Sequence, residues 1–413
     1  MLHVALVTPA YPPAVGGIAT YVGSLATSLV RQGQRVTVFW ADFDRAPGTD
    51  EVASPEPSLR VIRLGRSAGL PEWLCDRLTG LPAAAWSFRV RRALRDLHRR
   101  DPLDLVELSN WKALGAAHSL AKIVPQVTRV TTGIRHVQAL QGTAGSREAR
   151  SVRRLQSMEA LEVRRSDAII VPSRRHWAEA AAEYGLPLDD PRVEYVEFGI
   201  DSPRTVDSAP SAPSNERPCE LLFVGRLTWR KGFDVLMRAW PAVAAGAGRE
   251  VRLTLIGADG PAGDAGGSAW RTCSAALDSS LCERIEYLGQ VSDARRDEAY
   301  RRCDVFVAPS RYESFGLIYV EAMARGLPVV GCRRGGAPDV VEDGVTGLLV
   351  EPDDAEGLAR ALLRLIRDPE LRHRLGDEGR RQATSRFTLE SMAARTLDVY
   401  RRAIARRRAE RRS

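Results

Sequence analysis

The chain has 413 residues, of which 44% are hydrophobic and 27% charged, and a formal net charge of +8. One hydrophobic core rarely serves more than about 250–300 residues, so we expect two domains and exclude wholesale disorder. The apolar runs are far shorter than the roughly 20 residues that a membrane-spanning helix needs. Met1–Thr8 also lacks the basic start and apolar core of a signal peptide. We therefore expect neither a membrane span nor export.

Basic residues are concentrated in the first half and at the end of the chain. The last 13 residues carry seven arginines and one glutamate, a pattern that favours nucleic acid or an anionic membrane as a partner. We expect no nucleic-acid partner, because the basic segments lack nucleic-acid fold motifs and interleaved aromatic residues. The six cysteines are scattered without any C-x-x-C pair, which indicates free thiols in a reducing cytoplasm.

Short strands rich in β-branched residues alternate with helical patterns in the first half of the chain. The loop after the first strand contains Gly16 and Gly17. These glycines either permit close backbone approach to a ligand or simply form a turn. The five predicted strands of this half are His3–Val7, Arg35–Phe39, Leu103–Leu108, Val127–Thr131 and Ala168–Val171.

Residues Trp86–Arg100 predict a basic amphipathic helix. Its apolar residues, among them Val90, Leu94 and Leu97, recur near helical spacing with arginines around them. Such a helix suits an anionic membrane surface, such as the inner face of a cell membrane. It equally suits a position on the outside of a sheet, with the apolar face packed inward.

Residues 201–217, rich in proline, serine and aspartate, predict a linker between a first domain at 1–200 and a second at 218–388. The alternation of strands and helices resumes after it. Two helices, Asp354–Asp368 and Leu389–Ile404, are predicted to end the fold, and the second is expected to pack back on the first domain. Residues 405–413 predict a frayed basic tail. The strands of this half are Leu221–Val224, Val251–Ile256, Arg284–Leu288, Val305–Ala308 and Val329–Gly331.

The strongest functional signal is the segment 309–322, PSRYESFGLIYVEA. A strand precedes it, a turn presents Glu313, and a helix is predicted from near Phe315. Ligands of doubly wound sheets bind at the carboxyl ends of the strands, beside helix N-termini. Glu321 lies about two turns along that helix, and carboxylates accept hydrogen bonds from sugar hydroxyls. The alternative is that Glu313 caps the helix and Glu321 faces solvent.

The pattern P-S-x-x-E-x-F-G-x-x-x-x-E-A-x-A-x-G-x-P-V-V resembles retaining glycosyltransferases of family 4, which have the GT-B fold. The resemblance continues in Val224–Gly232 (VGRLTWRKG), in Gly335–Val341 and in Asp343–Gly347, and it covers residues 218–400. It implies an α/β protein of two Rossmann-like, doubly wound parallel-sheet domains facing across a cleft. The first domain would bind the acceptor and the second the nucleotide-sugar.

The resemblance also assigns the donor side. It implies that Arg226 and Lys231 bind the donor diphosphate, Glu313 the sugar hydroxyls and Glu321 the ribose. The two cations stabilise the charge that grows on the diphosphate as the glycosidic bond breaks. The predicted catalytic residues are therefore Arg226 and Lys231, together with Glu313, which holds the sugar. An exposed loop arginine is the alternative for Arg226, whereas Lys231 is one of only three lysines. The further predicted donor contacts are Gly16, Gly17, Val291, Ser314, Phe315, Gly316 and Leu317.

On the acceptor side, Glu107, Asn110 and Trp111 resemble a segment that lines this side in part of the family. These side chains can hydrogen-bond to, or stack on, a sugar or cyclitol, although ordinary packing also explains Trp111.

One position departs from the family pattern. Where many relatives have a histidine after a strand, this chain has Thr131. We expect Thr131 or Thr132 to replace it as a hydrogen-bond donor, or His136 to reach in from the following loop. An ordinary surface histidine is the alternative for His136.

These features predict a retaining glycosyltransferase that moves a hexose-type sugar from a nucleoside diphosphate to a hydroxyl of a glycan, natural product or glycolipid. No Asp-x-Asp motif stands at a strand end with a positioned third ligand, so we expect no metal, and no cofactor besides the nucleotide-sugar co-substrate. The alternatives are a sugar-nucleotide epimerase, a phosphorylase-like enzyme and a non-catalytic sugar-nucleotide-binding protein of the same fold. The phosphorylase-like enzyme requires a lysine for pyridoxal phosphate, and the three lysines are poor candidates.

Overall fold

The computed structural model describes residues 1–410 except 15, 47, 55, 66–81, 140–145, 202–216 and 262–265. The chain forms two units. Unit 1 comprises Met1–Gln138, Thr143–Gly199 and Leu389–Ser413, and unit 2 comprises Ala139–Gly142 and Ile200–Thr388. Most of the predicted linker, residues 202–216, lies outside the described residues.

In its described residues, unit 1 is built on a sheet of eight strands. These are β1 (His3–Thr8), β2 (Arg35–Ala41), β3 (Thr49–Val52), β4 (Leu59–Leu64), β5 (Leu105–Ser109), β6 (Gln126–Arg129), β7 (Ala168–Val171) and β8 (Val193–Tyr195). Their order is β3-β4-β2-β1-β5-β6-β7-β8. All neighbours run parallel except the edge pair β3 and β4, which is antiparallel. Every residue of β1 and β5 is buried, as expected where helices cover both faces of a parallel sheet.

The helices of unit 1 flank this sheet. They are α1 (Gly17–Arg31), α2 (Pro82–Arg100), α3 (Ala116–Leu120), α4 (Ile134–Ala139), α5 (Ser146–Arg164) and α6 (Arg174–Tyr184), with a 3-10 turn at Trp111–Ala113. The apolar residues Trp86, Val90, Leu94 and Leu97 of α2 lie in one core cluster with residues of β1, β2 and β5. The amphipathic helix therefore packs its apolar face inward on the sheet.

The described part of unit 2 is built on six parallel strands. These are β9 (Cys219–Val224), β10 (Val251–Ile256), β11 (Ile285–Gly289), β12 (Val305–Ala308), β13 (Val329–Cys332) and β14 (Gly347–Val350). Their order is β11-β10-β9-β12-β13-β14, with every neighbouring pair parallel. Its helices are α7 (Phe233–Gly246), α8 (Ala269–Ser274), α9 (Ser279–Cys282), α10 (Asp293–Arg302), α11 (Leu317–Ala324), α12 (Ala337–Val340), α13 (Ala355–Arg367) and α14 (Pro369–Arg386), with a 3-10 turn at Trp229–Lys231.

The last helix, α15 (Leu389–Glu410), belongs to unit 1. Its Tyr400 hydroxyl donates to Glu107 at 2.6 Å, and Arg129 donates to Thr396 at 3.0 Å. The helix continues past Ile404 to Glu410 instead of fraying, and Arg406 ties its end to the Asp167 carbonyl at 2.8 Å. Residues 411–413 of the predicted tail lie outside the described residues.

None of the helices in the described ranges has the length and apolar character needed to cross a membrane.

Candidate active site

The candidate site in unit 2 lies at the carboxyl edge of its sheet. Because β9 and β12 are parallel neighbours, Arg226 and the segment 309–316 follow them at the same edge. Val291 comes after β11 at this edge too. The carboxyl edge is where doubly wound sheets bind ligands.

Lys231 and Glu313 form an ion pair at this edge. The Lys231 ammonium lies 2.5 Å from Oε1 of Glu313, and Arg230 lies 3.9 Å from Oε2. Burial raises the pKa of the Glu313 carboxyl, but Lys231 and Arg230 outweigh it and hold the pKa below its usual range. Burial lowers the pKa of Lys231, and Glu313 opposes that change. Glu313 is therefore ionised at neutral pH, with two cations beside it.

Gly232 explains why these two side chains meet. It ends the Trp229–Lys231 turn with φ 68°, a conformation that glycine adopts readily. A Cβ at this position would lie 1.9 Å from the Pro309 carbonyl oxygen. Only glycine therefore lets the turn approach the segment after β12 closely enough for Lys231 to reach Glu313.

Arg311 anchors the same turn from below. Its guanidinium is 2% exposed and stacks on the Trp229 ring at 3.7 Å from the ring centre. It donates to both oxygens of Asp234 at 2.6 and 2.7 Å and to Asp353 at 2.7 Å. The sequence does not single out Arg311, because one arginine among many carries no signal.

The loop that presents Glu313 is clasped by two glycines. Gly336 donates its N–H to the Glu313 carbonyl at 2.7 Å. A Cβ on Gly335 or Gly336 would lie 2.3 Å from the carbonyl oxygen of Glu313 or Ser314 respectively. The G-G pair of the sequence motif thus shapes the backbone of the Glu313 loop.

Helix α11 begins at Leu317, two residues later than predicted, because Gly316 at its N-terminus has φ 103°. Phe315 is buried and meets Phe387 edge-on at 5.6 Å between ring centres. Its side chain is therefore part of the core, and only its backbone is available for a ligand.

Among the described residues, the predicted donor side chains of Arg226 and Glu321 make no hydrogen bond or ion pair with Lys231 or Glu313. Glu321 is on the second turn of α11 and accepts a hydrogen bond from the Tyr300 hydroxyl at 3.3 Å. Burial raises the pKa of Glu321, against the opposing effect of Arg296 and Arg325. Arg226 is exposed, and its side chain makes no ion pair with any described residue. Within the same ranges, no group of three or more His, Cys, Asp or Glu side chains could hold a metal ion.

In unit 1, the glycines of the first loop also follow a central strand at the carboxyl edge. Gly16 and Gly17 are exposed, and Gly16 has φ 143°. A Cβ built on either residue meets no atom within 4 Å. Open space therefore surrounds this backbone, and only the φ of Gly16 favours glycine.

Three residues predicted to bind the acceptor are engaged inside unit 1. Buried Glu107 accepts two hydrogen bonds from Arg129, at 2.8 and 3.1 Å, besides the one from α15. The Asn110 oxygen accepts from the amide and hydroxyl of Thr131, at 2.8 and 3.1 Å, while its nitrogen donates to Tyr184 at 3.0 Å. These buried contacts favour structural roles for Glu107, Asn110 and Thr131.

The remaining predicted acceptor residues are more accessible. Trp111 and Thr132 are partly exposed after β5 and β6. His136 pairs with Glu183 and lies 3.9 Å from Glu179. Burial lowers the pKa of His136, but the two carboxylates outweigh it and raise the pKa to about 9. His136 is therefore a cation at neutral pH.

Comparison with known proteins gives two family matches that together cover most of the chain. Residues 207–382 match the family described as "Glycosyl transferases group 1", and residues 16–199 match the "Glycosyl transferase 4-like domain". The chain is 31% identical to a D-inositol 3-phosphate glycosyltransferase of Xylanimonas cellulosilytica, over 95% of this chain and 93% of that protein. It is 29% identical to a glycogen synthase of Mycobacterium tuberculosis, over 97% and 94% of the two chains.

Among solved structures, sucrose-phosphate synthase from Thermosynechococcus elongatus has the same fold, with a TM-score of 0.77 at 24% identity over 98% of this chain and 100% of that one. The two parallel-sheet units and these likenesses define a glycosyltransferase of the GT-B class. The chain belongs to the group 1 glycosyl transferases, with a glycosyl transferase 4-like first half. The predicted family and fold are confirmed.

Proposed function

We propose that this glycosyltransferase moves a hexose-type sugar from a nucleoside diphosphate to an acceptor hydroxyl, with retention of configuration and without a metal ion. The observation that supports this most is the Lys231–Glu313 ion pair. It places one fixed cation and one fixed carboxylate together at the carboxyl edge of a parallel sheet, before the N-terminus of α11. A cation binds the negatively charged diphosphate, and a carboxylate accepts hydrogen bonds from sugar hydroxyls.

We assign the donor roles from this placement and from the resemblance to the family. Lys231 and the exposed Arg226 bind the diphosphate, Glu313 accepts hydrogen bonds from sugar hydroxyls, and Glu321 accepts them from the ribose. The backbone from Ser314 to Leu317 offers amides to phosphate oxygens. The backbone of Val291 completes the proposed donor contacts of unit 2.

In the proposed mechanism, Lys231 and Arg226 stabilise the charge of the leaving group. As the glycosidic bond breaks, negative charge builds on the departing diphosphate, and fixed cations stabilise that charge without reorganising. Glu313 is engaged by Lys231, which disfavours it as a covalent nucleophile. The acceptor hydroxyl then attacks the face from which the diphosphate leaves, and the diphosphate oxygen takes its proton.

On the acceptor side we retain Trp111, Thr132 and His136 as proposed contacts, because they are the accessible members of the predicted set. Two relatives are named D-inositol 3-phosphate glycosyltransferase and glycogen synthase, and we favour a small hydroxyl-bearing acceptor for this chain. Membrane contact is not part of the proposed function, because the apolar face of α2 lies in the core of unit 1.

The test is transfer itself. The purified chain is incubated with uridine, guanosine, adenosine and thymidine diphosphate sugars and with inositol phosphates and oligosaccharides as acceptors. Release of nucleoside diphosphate, product mass and the anomeric configuration by NMR are then measured. We expect one donor to be used with retention, and activity to persist in excess EDTA.

Two substitutions sharpen this test. Glu313→Gln and Lys231→Met should each lower turnover by about 100- to 1,000-fold, the typical loss for one transition-state contact. The matched control is Glu356→Gln, because Glu356 is a 91% exposed glutamate of the same unit. Unchanged turnover in the two site variants, inversion of configuration, or loss of activity with EDTA would each contradict the corresponding part of the proposal.

A further inference from the structure

The turn after β5 has an unusual backbone. Lys112 and Ala113 are consecutive non-glycine residues with φ 64° and 51°. The left-handed conformation is unfavourable for an L-residue, because its Cβ comes too close to the following carbonyl oxygen. Neighbouring contacts must therefore hold this turn in place, and it begins with the proposed acceptor contact Trp111.

Glu159 supplies one of these contacts and links the turn to a second loop. This residue of α5 is 2% exposed. Its Oε1 accepts the Lys112 N–H at 3.0 Å, and its Oε2 accepts the Ile134 N–H at 3.1 Å. Ile134 begins α4, the helix that carries His136. Because β5 and β6 are parallel neighbours, one carboxyl group ties together the segments that follow two adjacent strands.

The surroundings of Glu159 leave little room for either loop to shift. A Cβ on Gly133 would lie 2.8 Å from the Tyr184 hydroxyl and 3.5 Å from Oε2 of Glu159. The Tyr184 hydroxyl also receives the hydrogen bond from Asn110. The two segments are therefore packed around the carboxyl group as well as bonded to it.

We propose that Glu159 is a positioning residue, whose two oxygens hold Trp111, Thr132 and His136 in the arrangement that binds the acceptor. The proposal rests on the proposed function, because it takes these three residues as acceptor contacts. It requires both side-chain oxygens to accept a backbone N–H, a capacity that a carboxyl group keeps whether it is ionised or protonated. A glutamine in its place would turn a donor NH₂ group toward one of the two backbone N–H groups.

Glu162 provides a matched control on the same helix. It is as buried as Glu159, and one oxygen accepts the Gly115 N–H at 2.7 Å. Its other oxygen, Oε1, has no hydrogen-bond partner among the described residues. Glu162→Gln can therefore keep its single bond by turning its remaining oxygen toward Gly115, whereas Glu159→Gln must lose one of two.

The kinetic experiment compares the wild type, Glu159→Gln and Glu162→Gln. Losing a hydrogen bond to a buried carboxyl group corresponds to a change of about tenfold or more. We expect Glu159→Gln to raise the acceptor KM by about tenfold with donor KM within about twofold of wild type. Glu162→Gln should leave both constants within about twofold. An unchanged acceptor KM in Glu159→Gln, or an equal rise in Glu162→Gln, would overturn the proposal.

Hydrogen–deuterium exchange tests the same claim without any need for activity. Peptides covering residues 109–115 and 132–137 should exchange faster in Glu159→Gln than in the wild type. In Glu162→Gln the exchange rates of the same peptides should equal those of the wild type. Wild-type protection of both segments in Glu159→Gln would refute the positioning role even if no acceptor were found. The two possible failures are distinguishable. If the proposed function is wrong, the wild type itself transfers no sugar from any donor, whereas failure of the positioning role alone leaves wild-type transfer intact.

Discussion

Arg311 acts on the candidate site through the turn that carries Lys231. Its guanidinium is buried between Asp234, Asp353 and the Trp229 ring. Arg238 approaches the same two aspartates, at 3.4 and 3.9 Å, but its side chain is 55% exposed. The two arginines share the same aspartate partners, but Arg311 is buried and Arg238 is exposed to solvent. Comparing variants of the two therefore isolates the effect of burial.

Replacing Arg311 by methionine should destabilise unit 2 by about 1–3 kcal/mol, because several charge-assisted hydrogen bonds are lost. The same change should weaken donor binding, because the Trp229–Lys231 turn loses its anchor. Arg238→Met should change stability by less than about 1 kcal/mol, as for exposed ion pairs. Urea unfolding and nucleotide titration measure both effects. Equal behaviour of the two variants would show that Arg311 holds nothing in place.

Glu107 makes a second prediction at the scale of single residues. Arg129, its partner, is fully buried in the sheet. Glu107→Gln removes the negative charge of a buried ion pair and leaves the Arg129 charge uncompensated. The substitution should therefore lower the free energy of unfolding by about 3–5 kcal/mol. Chemical denaturation measures this cost. A variant as stable as the wild type, with only acceptor binding impaired, would instead restore the acceptor role first predicted for Glu107.

The sequence identifies some of these residues and misplaces others for a physical reason. Lys231 and Glu313 stand out because a rare lysine and a spaced acidic pair occur in a motif at a strand end. Glu107 has no local signal of burial, since its partner Tyr400 is 293 residues away in the chain. Arg311 and Glu159 act through contacts that no local pattern encodes.

At the scale of elements, α4 and α6 are joined by His136 and its two glutamates. The folded-state pKa of His136, about 9, exceeds its ordinary value of 6.5. The stability from these ion pairs is therefore fully present below pH 6.5 and is lost as the pH rises through 9. Glu179 and Glu183 remain in His136→Gln, so the comparison isolates the histidine charge.

We expect the difference in unfolding free energy between the wild type and His136→Gln to be largest near pH 6 and to decline steadily up to pH 9.5. Glu159 contributes a parallel decline to both proteins. Burial raises the pKa of Glu159 to about 8 despite two backbone N–H groups, so stability falls as the pH rises from 4.5 to 8. Denaturation at pH 6, 8 and 9.5 checks the difference, and a pH-independent value would contradict the assignment.

Strand prediction succeeded best for buried apolar runs and missed strands that are short, exposed or interrupted by charged residues. The sequence predicts β9 and β12 because their residues are nearly all apolar. It misses β3, whose residues are largely exposed and include two acids, and β8, which is three residues long. It also misses β4, which two arginines interrupt, and the short β14. These strands are fixed by pairing with a neighbour, which a local pattern does not report.

At the scale of the whole molecule, the two units do not follow the order of the chain, because the last helix, α15, belongs to unit 1. Long-range contacts hold it there, among them Arg402 with Glu194 at 3.0 Å and Arg406 with the Asp167 carbonyl. The GT-B fold was predictable because its motifs are local and the strand–helix alternation is regular. The chemistry of the acceptor was not, because it depends on side chains brought together from several loops.

The central claim is that Lys231 binds the diphosphate and Glu313 the sugar of one donor, and thermal stabilisation by ligand tests it most directly. A matching nucleoside diphosphate at about 100 times its Kd should stabilise the wild type by about 2.7 kcal/mol. Lys231→Met should bind the nucleoside diphosphate at least about tenfold more weakly. Glu313→Gln should bind it normally but lose the extra affinity for the intact nucleotide-sugar. Equal stabilisation of all three proteins by every nucleotide and nucleotide-sugar would contradict the account.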